Sequence, residues 1–234
     1  MATKKKMTRR TLKEPDEFLT LTEKGFRLVK DHFRSIAMGG IAVILVFAGI
    51  FFFRMWEENK ERRASLELMA AMESYDRANS PYQQEGTPTN YQDALGKLEN
   101  LAKSFPRTSS GRLALLYKGN IDLKLGEFDK AIQSFQTFLS KESKEQLYQS
   151  FALEGLGCAY EGKKDYEKAV QAYQKVVTMG AQVSLGEAYI GLGRCYERLE
   201  KNKEALENYR AFLKTVPTSP RTDRIHRKVA MLEK

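Results

Sequence analysis

The chain of 234 residues is poor in the residues that build chemical sites, with two cysteines, two histidines and one tryptophan. Cys158 and Cys195 are too few for a disulfide framework, and no CxxC or Cys/His cluster with metal-ligand spacing occurs. His32 and His226 lie far apart, and neither has a neighbouring Ser, Cys or carboxylate in a triad-like pattern. A phosphate-binding loop is also absent. These absences argue against an enzyme and leave no catalytic residue, cofactor or metal ligand to expect. Six prolines and 42% hydrophobic residues exclude a collagen-like or wholly disordered chain.

What is present is charge, with a formal net of +9, and its placement is uneven. Residues 1–35 hold ten Lys/Arg against five acids, and residues 218–234 hold five against two. The middle is close to balanced. A basic pI would otherwise suggest nucleic acid, but basicity confined to the two ends disfavours that partner.

Residues 36–53, IAMGGIAVILVFAGIFFF, contain no charge and no polar side chain. As a helix they would extend about 27 Å, close to the hydrocarbon thickness of a bilayer. Trp56 follows at a position suited to the headgroup boundary. The long preceding segment and the bulky Phe51-Phe52-Phe53-Arg54 that follows argue against a cleaved signal peptide. A single-pass signal anchor from Ile36 to Phe53 is therefore expected. Lys/Arg counts close to the span tie at four on each side. The short basic tail as a whole favours a cytosolic N-terminus, with residues 54–234 outside. Within residues 1–35, Pro15-Asp16-Glu17 marks a helix start, and Phe18, Phe26, Val29, Phe33 and Ile36 then share one face. That face is either an early start of the spanning helix or an interfacial amphipathic helix.

The rest of the chain repeats. Residues 119–139, 157–177 and 193–213 align so that Gly119, Gly157 and Gly193 are each followed twelve residues later by Ala131, Ala169 and Ala205. Sixteen residues after the same glycines come Phe135, Tyr173 and Tyr209. Each copy reads as two helices joined by a tight turn, with small residues for close approach and aromatics filling the space between pairs. Gly126-Glu127 and Gly162-Lys163 are the expected first two turns, with Lys201-Asn202 a less clear third. A degenerate earlier copy has a first helix near 60–79, a loop over Pro81–Asn90 and a second helix carrying Tyr91, Ala94 and Leu98. Ile225, Val229 and Leu232 share a face of a final capping helix, whose excess charge reads as a solvated surface.

The motifs Leu156-Gly157-Cys158-Ala159-Tyr160 and Leu192-Gly193-Arg194-Cys195-Tyr196, with the alanines and aromatics above, resemble the tetratricopeptide repeat. Lys118 and Asp122 depart from it, standing where Leu and Tyr are expected. The resemblance implies an all-α fold: a solenoid of about four helix pairs plus a cap, on one N-terminal transmembrane helix. The expected organisation is a basic tail over 1–35, the anchor over 36–53 and a degenerate first helix with its loop over 54–90. Repeats would cover 91–217 and the cap 218–234. In layout the chain is similar to bacterial membrane-anchored proteins of the ancillary SecYEG translocon subunit (YfgM-like) family, with a periplasmic repeat domain. The phrases Phe105-Pro106-Arg107-Thr108-Ser109 and Val216-Pro217-Thr218-Ser219 also resemble repeat junctions of outer-membrane assembly lipoproteins.

In the repeat family, first helices line a concave groove that receives peptides or partner helices. Carried onto this chain, the groove positions are Leu113, Leu116, Asn120, Leu123 and Lys124 in the first clear copy. They are Phe151, Glu154, Cys158 and Glu161 in the second, and Glu187, Ile190, Arg194, Glu197 and Arg198 in the third. The carboxylate clamp of some members is not expected, because Leu116, Glu154 and Ile190 replace its basic residue. Cys158 and Cys195 fall at non-equivalent positions of consecutive helices, so two unpaired thiols are expected. The resemblance implies a scaffold that binds proteins or peptides, in its most concrete form linking the Sec translocon to periplasmic chaperones. Coordination of envelope assembly or division is the alternative.

Overall fold

A helix can bury only one stripe of its surface, so a chain of amphipathic helices with short turns must cover each pair with the next. The computed structural model describes residues 25–26, 29–79, 88–141 and 145–233, with only the backbone at 88–90. The helix start at Pro15 and the position of Phe18 lie outside the described residues. The helices are α1 Phe33–Ala78, α2 Pro88–Ser104, α3 Ser109–Lys124, α4 Phe128–Ser140, α5 Gln146–Gly162, α6 Tyr166–Met179, α7 Gln182–Arg198, α8 Asn202–Thr215 and α9 Thr222–Leu232. No strand occurs among the described residues.

The chain divides into two units, Met1–Glu58 and Asn59–Lys234. In the first, α1 is long and apolar enough to cross a membrane, and its large apolar side chains from Ile36 to Phe53 are exposed. In the second, the last turns of α1 pair with α2, and three further pairs follow, closed by α9. This agrees with the all-helical expectation of four pairs and a cap. Four consecutive clusters make the core, each drawing on adjacent helices. The second, for example, combines Leu116 of α3, Phe135 of α4, Ala152 of α5 and Ala172 of α6.

The repeat spacing is explained by one contact made twice. The Phe135 ring lies against Gly119 of its own pair and Gly155 of the next; a Cβ on Gly119 would stand 2.7 Å from its Cε1. The Tyr173 ring likewise lies between Gly157 and Gly191, where Cβ atoms would stand 2.6 and 2.5 Å from ring carbons. Tyr209 lies against Gly193. Gly119, Gly157 and Gly193 are legible as repeat markers; Gly155 and Gly191, which let the following helix close over each ring, stand outside that three-copy pattern.

Pair turns share one geometry. Gly126, Lys164 and Glu200 each take a left-handed φ, at 72°, 62° and 59°, seven residues after the repeat glycine. The next residue's amide then reaches back to the last helical turn: Glu127 N–H to Asp122 O at 2.8 Å, Asp165 N–H to Tyr160 O at 2.9 Å, and Lys201 N–H to Tyr196 O at 2.9 Å. These are Schellman caps. They correct the expected second turn, since Gly162 is still helical and Lys164 carries the left-handed bend. The expected loop at Pro81–Asn90 is also shorter at its end, because α2 begins at Pro88; proline suits a first helical turn.

Polar contacts fix the first clear pair. Lys118 Nζ lies 2.8 Å from Asp122 Oδ2, with Asp122 only 3% exposed, so the two departures from the repeat motif satisfy each other. At the start of α3, Glu61 of α1 accepts from Ser109 N–H at 2.7 Å and from Ser110 N–H at 3.0 Å, capping otherwise unpaired amides.

Two expectations follow for urea unfolding of the full chain in detergent. Gly155→Ala and Gly191→Ala should each destabilise by about 1–3 kcal/mol through overpacking against the rings. Gly96→Ala, whose Cβ would meet nothing within 4 Å, should instead stabilise by about 1 kcal/mol. At the turns, Lys164→Gly and Glu200→Gly should each gain roughly 1 kcal/mol by removing the left-handed penalty. A loss at either turn position would refute the cap assignment.

Candidate functional site

The groove positions do not behave alike. Leu116 is 3% exposed within the second core cluster, and Leu113, Leu123 and Phe151 pack partly buried against it. Leu116 is thus core rather than groove surface, because α5 closes over it. Asn120 is half-buried. Lys124 is turned toward the first pair: its Nζ lies 5.0 Å from the Tyr75 ring centroid and 5.8 Å from that of Tyr91, and donates to Asn79 Oδ1 at 2.6 Å.

Of the eight remaining positions, all but Glu154 and Cys158 gather at the other end. Glu161, Glu187, Ile190, Arg194, Glu197 and Arg198 line one cleft of about 490 Å³ together with Tyr209, Arg221, Arg224, Ile225 and Lys228. The volume falls in the range of ligand-binding pockets. Its far wall is α9 and the turn before it, which place Arg221, Arg224, Ile225 and Lys228 at intervals of three and four residues on one helical face. That spacing is visible in the sequence, and the cap's arginines Arg221, Arg224 and Arg227 are exposed as a solvated surface requires, while Lys228 is half-buried against Glu197. Ile225 is buried, as its apolar stripe implied; the cations beside it face the groove residues of α7.

Three ion pairs tie the cleft together. Arg194 Nε and Nη2 donate to the two Glu161 carboxylate oxygens at 2.8 and 2.7 Å, a bidentate pair joining α7 to α5. Lys228 Nζ lies 3.0 and 2.7 Å from the Glu197 oxygens, joining α9 to α7. Arg221 pairs with Glu187. Arg198 and Arg224 have no carboxylate at ion-pair distance among the described residues, so the lining carries five cations against three anions.

Beneath the bidentate pair, the Tyr173 hydroxyl donates to Glu161 Oε2 at 2.9 Å, with Cys158 Sγ 3.1 Å away. The Glu161 hydrogen bond keeps Arg194 protonated beyond the ordinary arginine range, and burial raises the Tyr173 phenol. Both thiols are free. Burial raises Cys158 and pushes Cys195 up to about 12, which makes neither a ready nucleophile. Glu154 stands apart: burial and the neighbouring Glu187 raise its pKa, partly offset by the Ser184 hydroxyl. Nearby, Ser150 Oγ and Ser184 Oγ meet at 3.0 Å, linking α5 to α7 in the interior. Among the described residues no group of three or more metal-ligating side chains occurs.

The comparisons agree with this architecture. A family model described as a tetratricopeptide repeat-like domain matches residues 28–234. The chain belongs to the tetratricopeptide repeat-like domain family. Among solved structures, MamA is similar at a TM-score of 0.52 and 21% identity, covering 62% of this chain and 77% of that one. A tetratricopeptide repeat protein from Parabacteroides merdae ATCC 43184 is similar at a TM-score of 0.56 and 20% identity. That match covers 72% of this chain and 60% of the other, so the chain spans less than two thirds of that relative. At these identities the likeness is one of fold. No curated protein sequence matches. Tetratricopeptide-type repeats are generally non-enzymatic surfaces for protein interaction, and the fold supports that reading here.

Glu154 gives this site a pH signature. Its raised folded pKa means the native state holds its proton more tightly than the unfolded chain does. Its contribution is therefore fully present at acid pH and is lost as pH rises from the ordinary glutamate range through the raised value. Glu154→Gln should raise the unfolding midpoint at neutral pH and flatten that slope. Unfolding profiles of the two proteins that stay parallel from pH 4 to 8, on the order of the window expected for a raised carboxyl, would contradict it.

Proposed function

We propose that this chain is a membrane-tethered scaffold for protein interaction at the bacterial cytoplasmic membrane. Ile36–Phe53 is the anchor, the N-terminal tail is cytosolic, and the repeats stand on the periplasmic side. The observation that carries the tether is the exposure of the large apolar side chains from Ile36 to Phe53 on α1. An exposed apolar surface of that extent calls for a lipid covering, and a helix satisfies its own backbone there. The binding role is supported by the family and by the open cleft formed by α7, α8 and α9. In its specific form the scaffold assists protein translocation, holding periplasmic chaperones beside the Sec translocon, as the resemblance in layout implies.

Two measurements test this reading. Added protease should digest the repeat region in spheroplasts of cells expressing the full chain, while the protein stays in the membrane fraction after alkaline extraction. Protection of the repeats would reverse the orientation, and extraction would remove the anchor. Crosslinking in intact membranes, followed by mass spectrometry, should recover translocon or chaperone subunits. Recovery of other envelope proteins alone would discard the translocon assignment and keep the scaffold.

A further inference from the structure

The α7–α9 cleft contains two features that its internal ion pairs leave unused. Arg198 and Arg224 have no carboxylate partner among the described residues, although three other cations of the lining are paired. Tyr209, only 1% exposed, also lines the cleft, and its buried hydroxyl lies near the Glu197 carboxylate, already held by Lys228, without a hydrogen bond of good geometry. An unpaired donor at such depth costs free energy unless a partner supplies an acceptor. All three groups, the hydroxyl and the two guanidinium groups, can donate hydrogen bonds to one anion.

We propose that this cleft binds an acidic segment of a partner protein, seating a carboxylate among Arg198, Arg224 and the Tyr209 hydroxyl. The inference rests on the scaffold reading above and deepens it by naming the chemistry recognised. Ile190 and Ile225 border the cleft but are only 5% and 4% exposed, so charge rather than apolar contact sets what the cleft selects. A polyphosphate backbone fits less well, because only two guanidinium groups are unpaired and the three ion-paired glutamates between them leave no continuous positive track. A guanidinium can make charge-assisted bonds of the bidentate kind, so the planar forks of Arg198 and Arg224 favour a carboxylate over a diffuse anion. The site differs in construction from the clamp considered for the repeat family, since Arg224 comes from the capping helix and Tyr209 from the last repeat's second helix.

The test uses the full chain in detergent micelles and fluorescence anisotropy of a labelled octapeptide alternating leucine and glutamate. The glutamate peptide should bind roughly tenfold more tightly than its leucine–glutamine counterpart. Arg198→Ser with Arg224→Ser should remove that advantage, and Tyr209→Phe should weaken binding severalfold with the helical circular dichroism unchanged. Lys214→Ser, an exposed residue outside the cleft, should bind as the unaltered chain does. Equal affinity for the two peptides, no binding, or tighter binding of a single-stranded oligonucleotide would overturn the proposal. So would undiminished binding by the double arginine variant. Crosslinking separates the two possible failures. Partners still captured by a chain that ignores the glutamate peptide would sink this inference and leave the scaffold standing. Capture of no protein, alongside arginine-dependent peptide binding, would uphold the acidic-segment site and count against the scaffold assignment.

Discussion

The solenoid depends on an aromatic ring held between two glycines that belong to successive helix pairs. Phe135 and Tyr173 each cover a glycine in their own pair and meet a second one in the next. The ring's burial provides the apolar gain, and the missing side chains allow the backbones to come close enough for it. Because each ring belongs to two interfaces, a pair cannot be completed without its successor. The Tyr209 ring has Gly193 on one side and, among the described residues, α9 in place of a further helix pair beyond it. Ile225 of α9 enters the same core cluster, so the cap takes the place of a following repeat.

That substitution also shapes the candidate site. A following repeat would have set another ordinary first helix against α7; the shorter α9 instead brings a basic face beside it. The cap therefore performs two tasks on different sides of one helix. Its apolar stripe closes the core, and Arg224 and Lys228 form part of the cleft wall. Ion pairs from Arg194 to Glu161 and from Lys228 to Glu197 hold the successive first helices and the cap in register. Together with the pair of Arg221 and Glu187 they use up the lining's three acidic groups, so the charge left over is positive.

Legibility differed sharply between fold and site. The Gly–Ala–aromatic spacing was sufficient to place the three clear pairs, since it reports contacts within one pair at fixed sequence separation. Gly155 and Gly191 lie two residues before Gly157 and Gly193, but the first clear copy has Tyr117 at that position, so they fall outside the three-copy pattern, and the contacts they make are between pairs. Lys164 and Glu200 escaped notice for a related reason: a non-glycine left-handed turn is set by the Schellman hydrogen bonds, not by its own preference. Among the groove positions, Leu116 and Ile190 each stand three residues before a repeat glycine. Leu116 is buried beneath α5, while Ile190, next to α9, is buried at the edge of the cleft, and only the neighbouring helices distinguish them.

By itself, the sequence determined that the chain is helical, that it repeats with a two-helix unit and that one segment is apolar enough to need a covering. Those properties depend on local spacing and composition, which survive without knowledge of neighbours. Only the tertiary structure decided which of the groove positions converge, and that the basic cap faces Glu187 and Glu197 instead of water alone. Convergence depends on how successive pairs stack, and stacking is set by contacts such as Phe135 with Gly155 and Tyr173 with Gly191, which join one pair to the next and are not reported by spacing within a pair. The charge at the chain's end thus changed meaning once its helix was placed against α7.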